Sequence, residues 1–456
     1  MTTAFRSIDP STGQLVGDWP EATPDEVESG LALAADAFRG WSATPLADRA
    51  TALHALATRL RAERDRLAVV MAEEIGKPIT QGRGEVDKCA WACEYAADHA
   101  AEWLAPESVR TEAETSYVRH DPLGPVLAIM PWNFPFWQLF RFGASALAAG
   151  DTIVMKHAPN APRCALALAG LFDGLPFPRG ALVNLFVDVG TIEGLIADDR
   201  IAAVTLTGST RAGRSVASAA GRHLKPSVLE LGGSDPFVVL ADADLDAAAK
   251  VAAQSRLQNN GQSCIAAKRF IVEQAVADGF VERFRAEIAA AVVGDPRDPA
   301  TTMGPMARRD LRDTLHGQVA VSLGLGAARI LGGELPERDG FWYPPTLLTG
   351  VTPEMPVWSD EVFGPVAAVR VVRDAAEALT VANASRYGLG ATVFTADRGR
   401  AEALSRELRV GAVFVNALVR SDPRLPFGGV GDSGWGRELG QLGMRSFTLP
   451  KTVWVS

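Results

Sequence analysis

The feature that most constrains the fold is an alternation of short apolar runs with helical segments, which begins near residue 121. Runs rich in Val, Ile and Leu, such as GPVLAIMPW, DTIVMKH and IAAVTLTG, are separated by Ala-rich or amphipathic segments. Strands that alternate with helices predict βαβ units, whose parallel strands are buried on both faces. The chain is therefore predicted to be an α/β protein.

The alternation occupies two stretches of similar size, so we expect two open α/β domains. It changes at SVLELGG and resumes until about residue 430. The preceding part is predicted to be helical, with a capping box at Thr23 and Glu26 and two long amphipathic helices over 47–75 and 80–104. The tail RSFTLPKTVWVS alternates as an edge strand does, and edge strands can pair with another subunit.

Composition argues against several classes of function. The 456 residues carry a formal net charge of −9, whereas proteins that bind nucleic acid or membrane surfaces present a basic face. No apolar run reaches the roughly eighteen residues of a membrane span, and the first residues show no secretory signal. We therefore expect a cytoplasmic protein without nucleic-acid or membrane partners.

Four cysteines in a chain of this length do not indicate a disulfide framework. Cys89 and Cys93 share one face of a predicted helix, but a metal site would need further ligands and only His99 is near. We interpret them and Cys164 as core residues and expect no metal site. Cys264 is different, because it lies among small and amide residues in NNGQSC. It is either a buried thiol or a nucleophile.

Two polar residues near strand ends accompany that cysteine, each with an ordinary structural alternative. Glu230 ends an apolar run, where burial would raise the pKa of its carboxyl toward the range of a general base; the alternative is a strand-end acid. Asn133 follows a strand in PWNFP, where its amide can donate to an oxyanion; the alternative is a turn asparagine.

The segment TLTGSTRAG places a glycine-rich turn before a helix, which is either an anion site or a plain helix cap. Gly208, Gly213 and Ser215 also match three positions of the phosphate-binding loop of NTPases, but Arg214 stands where that loop has lysine. Taken together, a thiol, a carboxylate base, an amide donor and a phosphate site suit covalent attack on a carbonyl and transfer to a nucleotide cofactor. An NTPase is the less favoured alternative.

These motifs resemble the aldehyde dehydrogenase superfamily. The matching pieces are PWNFP, TLTGSTRAG, LELGG, NNGQSC, EVFGP and PFGG, which occur in the family's order within residues 5–456. Cys264 lies 34 residues after Glu230 and 97 before Glu361, which matches the family's gaps. The resemblance implies NAD(P)-dependent oxidation of an aldehyde to a carboxylate.

The resemblance also assigns catalytic roles. Cys264 would attack the aldehyde to give a thiohemiacetal, and Asn133 with the backbone N–H of Cys264 would hold the oxyanion. After hydride transfer to nicotinamide, Glu230 would activate the water that hydrolyses the thioester. A free thiol is only a few per cent thiolate at neutral pH, so local activation of Cys264 is expected.

For the cofactor, the resemblance implies a Rossmann-like site. The expected contacts are Trp132, Lys156, Ser209, Leu231, Glu361 and Phe363. Pro159 stands where many NAD-preferring relatives carry a glutamate that would repel a 2′-phosphate. His157 and Arg211 are expected to add positive charge near that phosphate, so we expect NADP, with NAD tolerated.

Arg141 carries the expectation about the substrate. Semialdehyde-using relatives have arginine at this position, and a guanidinium fork suits a distal carboxylate. Ser421 is expected to bond the same carboxylate, or else to be a plain loop serine, and Phe427 to fill an aromatic slot. The local pattern resembles bacterial succinate-semialdehyde dehydrogenases, most closely a shorter NADP-linked type.

Two departures from other succinate-semialdehyde enzymes accompany this resemblance. Gln258 replaces a second arginine, although Arg256 is near, and Ala266 replaces a redox-partner cysteine, so an active-site disulfide is not expected. The alternatives are glutarate semialdehyde, a broad range of aldehydes, or, from other classes, a non-redox thioester hydrolase or a structural relative.

The family further implies a homodimer or homotetramer. The expected cofactor-binding domain comprises residues 1–101 and 121–232, and the catalytic domain residues 233–432. Residues 102–120 and 433–456 are expected to form an oligomerisation hairpin and tail.

Overall fold

The computed structural model describes residues 5–456. Its strands, in chain order, are β1 (Phe5–Asp9), β2 (Gln14–Trp19), β3 (Glu107–Ser108), β4 (Thr115–Pro122), β5 (Pro125–Ile129), β6 (Thr152–Lys156), β7 (Leu182–Asn184), β8 (Ala203–Thr207), β9 (Ser227–Glu230), β10 (Pro236–Val239), β11 (Arg269–Glu273), β12 (Ala328–Leu331), β13 (Thr346–Thr349), β14 (Val366–Val372), β15 (Tyr387–Gly388), β16 (Gly390–Phe394), β17 (Ala412–Val415), β18 (Val430–Gly431), β19 (Gly434–Trp435) and β20 (Thr448–Val455).

The helices alternate with these strands from α5 onward. In chain order they are α1 (Pro24–Trp41), α2 (Leu46–Ala62), α3 (Arg64–Ile75), α4 (Ile79–Trp103), α5 (Trp137–Ala149), α6 (Pro162–Gly170), α7 (Ile192–Ala197), α8 (Thr210–Arg222), α9 (Leu245–Leu257), α10 (Ala277–Ala289), α11 (Arg309–Gly324), α12 (Pro356–Ser359), α13 (Ala375–Asn383), α14 (Arg398–Glu407) and α15 (Gly440–Arg445).

Two largely parallel sheets form the framework, which confirms the predicted α/β class. The first has the strand order β19-β9-β8-β5-β6-β7, and the second has the order β12-β13-β14-β11-β10-β16-β17. Only the edge strands β19 and β12 run antiparallel to their neighbours. Helices cover both faces of each sheet, so the central strands are buried on both sides and are apolar throughout.

A third, antiparallel sheet lies apart from these two and has the order β20-β4-β3. Strand β20 pairs with β4 along its whole length, from Thr448 opposite Pro122 to Val455 opposite Thr115. The predicted edge strand at the tail is therefore confirmed. Its outer edge leaves backbone N–H and C=O groups without a neighbouring strand among residues 5–456.

The helical region agrees with the predicted capping box, since the Thr23 hydroxyl accepts from the Glu26 N–H and the Glu26 carboxylate accepts from the Thr23 N–H. The single helix predicted over 47–75 is wrong, because α2 ends and α3 begins around Glu63, whose φ of −98° and ψ of 5° are not helical. No Gly or Pro marks that break, so the apolar periodicity continues through it.

The hairpin of β1 and β2 was not predicted. Its turn, DPSTG, carries a usable signal: the Asp9 side chain accepts from the Ser11 N–H at 2.8 Å, and Gly13 adopts a φ of +76°. Among residues 5–456, no helix is both long enough and apolar enough to cross a membrane.

The cysteines expected in the core are there. Cys89, Cys93 and Cys164 are fully buried within the apolar cluster formed by α2 to α6. Burial raises the pKa of each of these thiols above its ordinary value, so they are inert packing groups.

Candidate active site

Cys264 lies in a tightly constrained loop between α9 and β11. The three residues Asn259, Asn260 and Gly261 adopt positive φ values of 53°, 57° and 73°, a conformation that asparagine and glycine tolerate best. A Cβ on Gly261 would stand 2.3 Å from the carbonyl carbon of Gly364. The NNG segment is therefore required by the shape of the loop that presents the cysteine.

Two buried cations hold this loop from behind. The ammonium of Lys268 donates to the carbonyl oxygens of Ser263, Cys264 and Ala266 at 3.0, 2.8 and 2.9 Å. Arg256 donates to the carbonyls of Ala267 and Gly261 at 2.9 and 2.5 Å. The guanidinium of Arg256, which lies near the position of the missing second arginine, is therefore engaged by the loop backbone.

Asn133 follows β5 and is fixed against the same loop. Its side-chain amide donates to the Gln262 carbonyl at 3.1 Å, and Asn259 donates to the Asn133 carbonyl at 2.7 Å. Asn133 and Cys264 border one cleft. One amide hydrogen of Asn133 is used by the loop, which leaves the second for the predicted oxyanion contact.

Glu230 is the last residue of β9 and is almost completely buried. Within residues 5–456, neither of its carboxyl oxygens has a hydrogen-bond partner. Burial raises the pKa of this carboxyl well above its ordinary value, the Arg141 cation opposes the shift, and Glu438 adds to it. A carboxyl with a raised pKa and free oxygens suits a general base.

Arg141 lies between two carboxylates rather than open to solvent. Its Nε bonds Glu438, its Nη2 donates to Thr207 at 3.0 Å, and Nη2 stands 3.8 Å from Glu230. The guanidinium also stacks 4.7 Å from the ring of Phe427. Arg141 still borders the cavity described below, so its predicted contact with a substrate carboxylate stays a prediction.

A cleft of about 440 Å³ meets Cys264 from the side of the first sheet. The cleft is bordered by five of the six predicted cofactor residues: Trp132, Ser209, Leu231, Glu361 and Phe363. Ser209 caps α8 by accepting from the Ala212 N–H at 3.2 Å, so the helix N-terminus faces the cleft. Lys156 ends β6 nearby but is not among the bordering residues, and burial lowers the pKa of its ammonium.

The walls of the cleft are held by specific contacts. Glu361 accepts from the Gly233 N–H at 2.9 Å, and a Cβ on Gly232 would stand 2.5 Å from the Glu361 carboxylate. Trp132 and Phe363 meet edge to face with ring centroids 5.8 Å apart. Glycine at 232 is therefore needed for the carboxylate of Glu361 to reach this wall.

The expected contribution of His157 to a phosphate site is wrong. His157 is fully buried, its Nδ1 accepts from the Ala158 N–H at 2.8 Å, and its Nε2 donates to the Pro135 carbonyl at 3.0 Å. Burial lowers the pKa of the imidazole to about 4, so it is neutral at physiological pH. Arg211, by contrast, is exposed and borders the cleft.

Pro159 borders a second space of about 590 Å³ together with Arg6 and Asn160. Arg308 and Asp310 border both this space and the cleft at Cys264. The two spaces therefore adjoin. Position 159 itself carries no carboxylate, although Glu74, Asp310 and Asp313 also border the second space.

A cavity of about 200 Å³ reaches Cys264 from the opposite side. Phe427, Gln258 and the three polar residues Lys88, Arg420 and Ser421 border it. The Ser421 hydroxyl accepts from the Lys88 ammonium at 2.8 Å and from the Trp137 indole N–H at 3.1 Å. Sequence reasoning missed Lys88, because it lies on α4, 333 residues before its partner; only the packing of α4 on α5 brings it here.

The surroundings of Cys264 do not favour the thiolate form of its side chain. Burial raises the pKa of Cys264 to about 12, although the Arg141 and Lys268 cations oppose the shift. The local activation expected from the sequence therefore does not come from these two cations alone and stays a prediction. The thiol must give its proton to a base as it attacks, and Glu230 has the free oxygens to receive it.

Known proteins match this chain over almost its whole length. The model of the aldehyde dehydrogenase family matches residues 1–453. A probable NADP(+) succinate-semialdehyde dehydrogenase of Synechocystis sp. is 48% identical over 453 residues, which are 99% of this chain and 100% of that protein. The NAD(P)+ succinate semialdehyde dehydrogenase Sad of Escherichia coli is 47% identical over 448 residues, covering 98% of this chain and 97% of that one.

Comparison with solved structures gives the same result as comparison of sequences. A succinic semialdehyde dehydrogenase from Streptococcus pyogenes, crystallised in complex with NADP+, superposes with a TM-score of 0.97 at 37% identity and covers 99% of this chain and 100% of its own. The likeness in sequence and in structure extends over both sheets and the tail. The protein is thus a member of the aldehyde dehydrogenase family.

Proposed function

We propose that this protein oxidises succinate semialdehyde to succinate with NADP as the preferred oxidant and NAD as a poorer one. The observation that carries the proposal is that Cys264 borders two different spaces: a cleft with dinucleotide-binding features and a small cavity that ends in cationic and hydroxyl groups. A carbonyl beside the thiol would point its chain into the cavity. Relatives that match along nearly the whole chain bear names consistent with this reaction.

The residues of the cleft fit a dinucleotide. The N-terminus of α8 at Ser209 suits a pyrophosphate, the Glu361 carboxylate suits ribose hydroxyls, and Trp132 with Phe363 provides apolar walls. Lys156 is proposed to hold the adenosine ribose and Leu231 to pack near the nicotinamide. When bound, NADP supplies the hydride acceptor.

The protein groups act on the substrate in sequence. Cys264 loses its proton to Glu230 as its sulfur bonds to the carbonyl carbon, and the resulting oxyanion accepts from the Asn133 amide and the Cys264 N–H. Loss of hydride from the tetrahedral carbon leaves a thioester. Glu230 then releases the thiol proton to solvent and takes a new one from the water that attacks the thioester; return of that proton to the departing sulfur releases the acid and the thiol.

Initial rates test the proposal directly. The substrates would be succinate semialdehyde, its methyl ester and glutarate semialdehyde, each with NADP and with NAD, and Cys264→Ser would serve as the inactive control. We expect an advantage in kcat/KM of about 30-fold or more for the acid over the ester, the size of one buried charged contact. Equal rates would indicate a broad-range aldehyde dehydrogenase, whereas cleavage of an added acyl thioester with no NADPH or NADH formed from any aldehyde would indicate a thioester hydrolase.

We also propose a cytoplasmic homodimer or homotetramer, with residues 1–101 and 121–232 as the cofactor-binding domain, 233–432 as the catalytic domain, and 102–120 and 433–456 as the elements that reach a neighbour. The exposed outer edge of β20 supports the last assignment. Unpaired cysteines fit a reducing compartment. Size-exclusion chromatography with light scattering would give the assembly directly.

A further inference from the structure

We infer that Lys88 is the residue that supplies the charge for the substrate's distal carboxylate, with the Ser421 hydroxyl as its co-donor. This inference rests on the proposed function and assigns the acid specificity of the cavity to a residue on α4. It follows from three independent features: the place of Lys88 in the cavity, its lack of an acidic partner, and the direction of the hydrogen bonds at Ser421.

Lys88 reaches the cavity from the middle of α4. Its ammonium lies 4.1 Å from the centre of the Trp137 ring and 2.8 Å from the Ser421 hydroxyl oxygen. The side chain is half-buried, and Cys264 borders the same cavity. The aromatic face and the hydroxyl hold the cation at one place without neutralising it.

No carboxylate in the described part of the chain lies within 4.0 Å of the Lys88 ammonium. Glu85 and Asp422, the two carboxylates whose charges act on Lys88, both have other partners. Glu85 pairs with the buried Lys77 and accepts from the N–H groups of Phe136 and Trp137 at 3.0 Å each. Asp422 pairs with Arg424 at 2.7 Å. A partly buried cation without a close acidic partner favours binding of an anion.

The other buried cation at this cavity is already balanced. Arg141 bonds Glu438 through Nε and approaches Glu230 through Nη2. Its charge is therefore shared by the two carboxylates beside the thiol, whereas the Lys88 ammonium has no carboxylate within 4.0 Å among residues 5–456. Arg420 also borders the cavity, but its side chain is exposed and therefore contributes less to a desolvated contact.

The bonding at Ser421 completes the site. Its oxygen accepts from Lys88 and from Trp137, which uses both lone pairs, so the hydroxyl hydrogen must be donated to an acceptor. No acceptor for it is found among residues 5–456. Lys88 has two further N–H groups without a protein partner there. Lys88 and Ser421 therefore both have donors free for a ligand, which suits a carboxylate.

The test compares Lys88→Met, which removes the charge and keeps the length, with Lys88→Arg, which keeps the charge. Both are assayed with succinate semialdehyde and with its uncharged methyl ester. Lys250→Met, an exposed lysine on α9, is the matched control. We expect Lys88→Met to raise KM for the acid about 30-fold or more, to leave kcat and the KM of the ester within about threefold, and Lys88→Arg to recover most of the loss.

A second readout separates a specific effect from a folding defect. Succinate should raise the melting temperature of the wild-type protein and of Lys250→Met, but not that of Lys88→Met; Lys88→Gln would replace Lys88→Met if the latter did not fold. If the wild type prefers the acid and Lys88→Met keeps that preference, the inference is overturned and the proposed function stands. If the wild type does not distinguish the acid from the ester, both are overturned.

Discussion

The Nη2 atom of Arg141 lies 3.8 Å from the Glu230 carboxylate, while the Nε atom of the same side chain bonds Glu438. One buried cation therefore serves two carboxylates. Burial raises the pKa of both carboxyls, the attraction of Arg141 opposes this rise, and repulsion by Glu438 adds to it at Glu230. The proton affinity of Glu230, the predicted base, thus also depends on Glu438, which does not border the cleft.

Replacing Glu438 with glutamine should lower the pKa of Glu230, because the variant loses the repulsion and leaves Arg141 free to favour the charged form. The rising limb of kcat/KM against pH should move by roughly one unit or more toward lower pH. Thr205→Val, which removes only a 3.4 Å contact to Glu438, is the control and should not move it. An unchanged limb in Glu438→Gln would contradict the coupling.

Replacing Glu230 with glutamine should reduce turnover by about 10²–10⁴-fold, because the variant has no carboxylate to activate water. Acylation should also slow, because Glu230 takes the Cys264 proton as well, but each acyl group that forms should stay on Cys264 after one hydride transfer. Intact-mass measurement after mixing with aldehyde and NADP should show the added acyl mass. The exposed Glu402→Gln should show no such adduct, and normal turnover in Glu230→Gln would exclude the assigned role.

Replacing Pro159 with glutamate should shift the cofactor preference toward NAD. A carboxylate at this exposed position would repel a 2′-phosphate and could bond ribose hydroxyls instead. We expect the NADP-to-NAD ratio of kcat/KM to fall about tenfold or more, as like charges at close range cost at least that much. Pro159→Gln, which adds the same bulk without charge, should change the ratio far less.

The preference for the acid aldehyde should depend on pH through Lys88. Burial lowers the pKa of its ammonium to about 8, Arg141 adds repulsion, and Cys89, Glu85 and Asp422 oppose the shift. Lys88 is therefore charged below that pH and neutral above it. The ratio of kcat/KM for acid over methyl ester should be constant below pH 8 and fall by up to about tenfold per unit above it. In Lys88→Arg the ratio should stay flat.

The buried neutral His157 should make stability depend on pH. Because burial depresses the folded-state pKa from 6.5 to about 4, the unfolded chain binds the proton more readily. The contribution is fully present above pH 6.5 and is lost as the pH falls to 4, a total of about 3 kcal/mol. The melting temperatures of wild type and His157→Gln, plotted against pH, should converge as the pH falls from 6.5 to 4. Parallel curves would mean that the imidazole is charged in the folded protein.

Much of the fold could be predicted because its signals are local. Apolar runs such as those of β5, β8 and β11 are buried on both faces, so their composition alone identifies them. The break between α2 and α3 at Glu63 could not be predicted, since both helices pack the same apolar face onto α4. The hairpin of β1 and β2 was not predicted, although its DPSTG turn is a standard signal for a turn between strands.

The sequence motifs of the site could be predicted, but the partners and charge states of its buried side chains could not. The cysteine loop and the cleft residues follow from short segments whose backbone conformation requires particular residues. The partners of Arg141, the neutral state of His157 and the place of Lys88 depend on contacts between residues far apart in the chain. Pairing of buried charges is a property of the folded interior, and no local pattern encodes it.

The two spaces that meet at Cys264 are built from different parts of the chain. The aldehyde cavity is formed largely by α4, α5 and the loop at 420–427, whereas the cofactor cleft is formed by strand ends of the first sheet, the start of α8 and residues 361–363. Among the described residues only Cys264 and Gln138 border both spaces, so substitutions at the other bordering residues of one space do not alter the lining of the other. In such an arrangement, substrate range and coenzyme choice can diverge separately in evolution, and each can be re-engineered without rebuilding the thiol that they share.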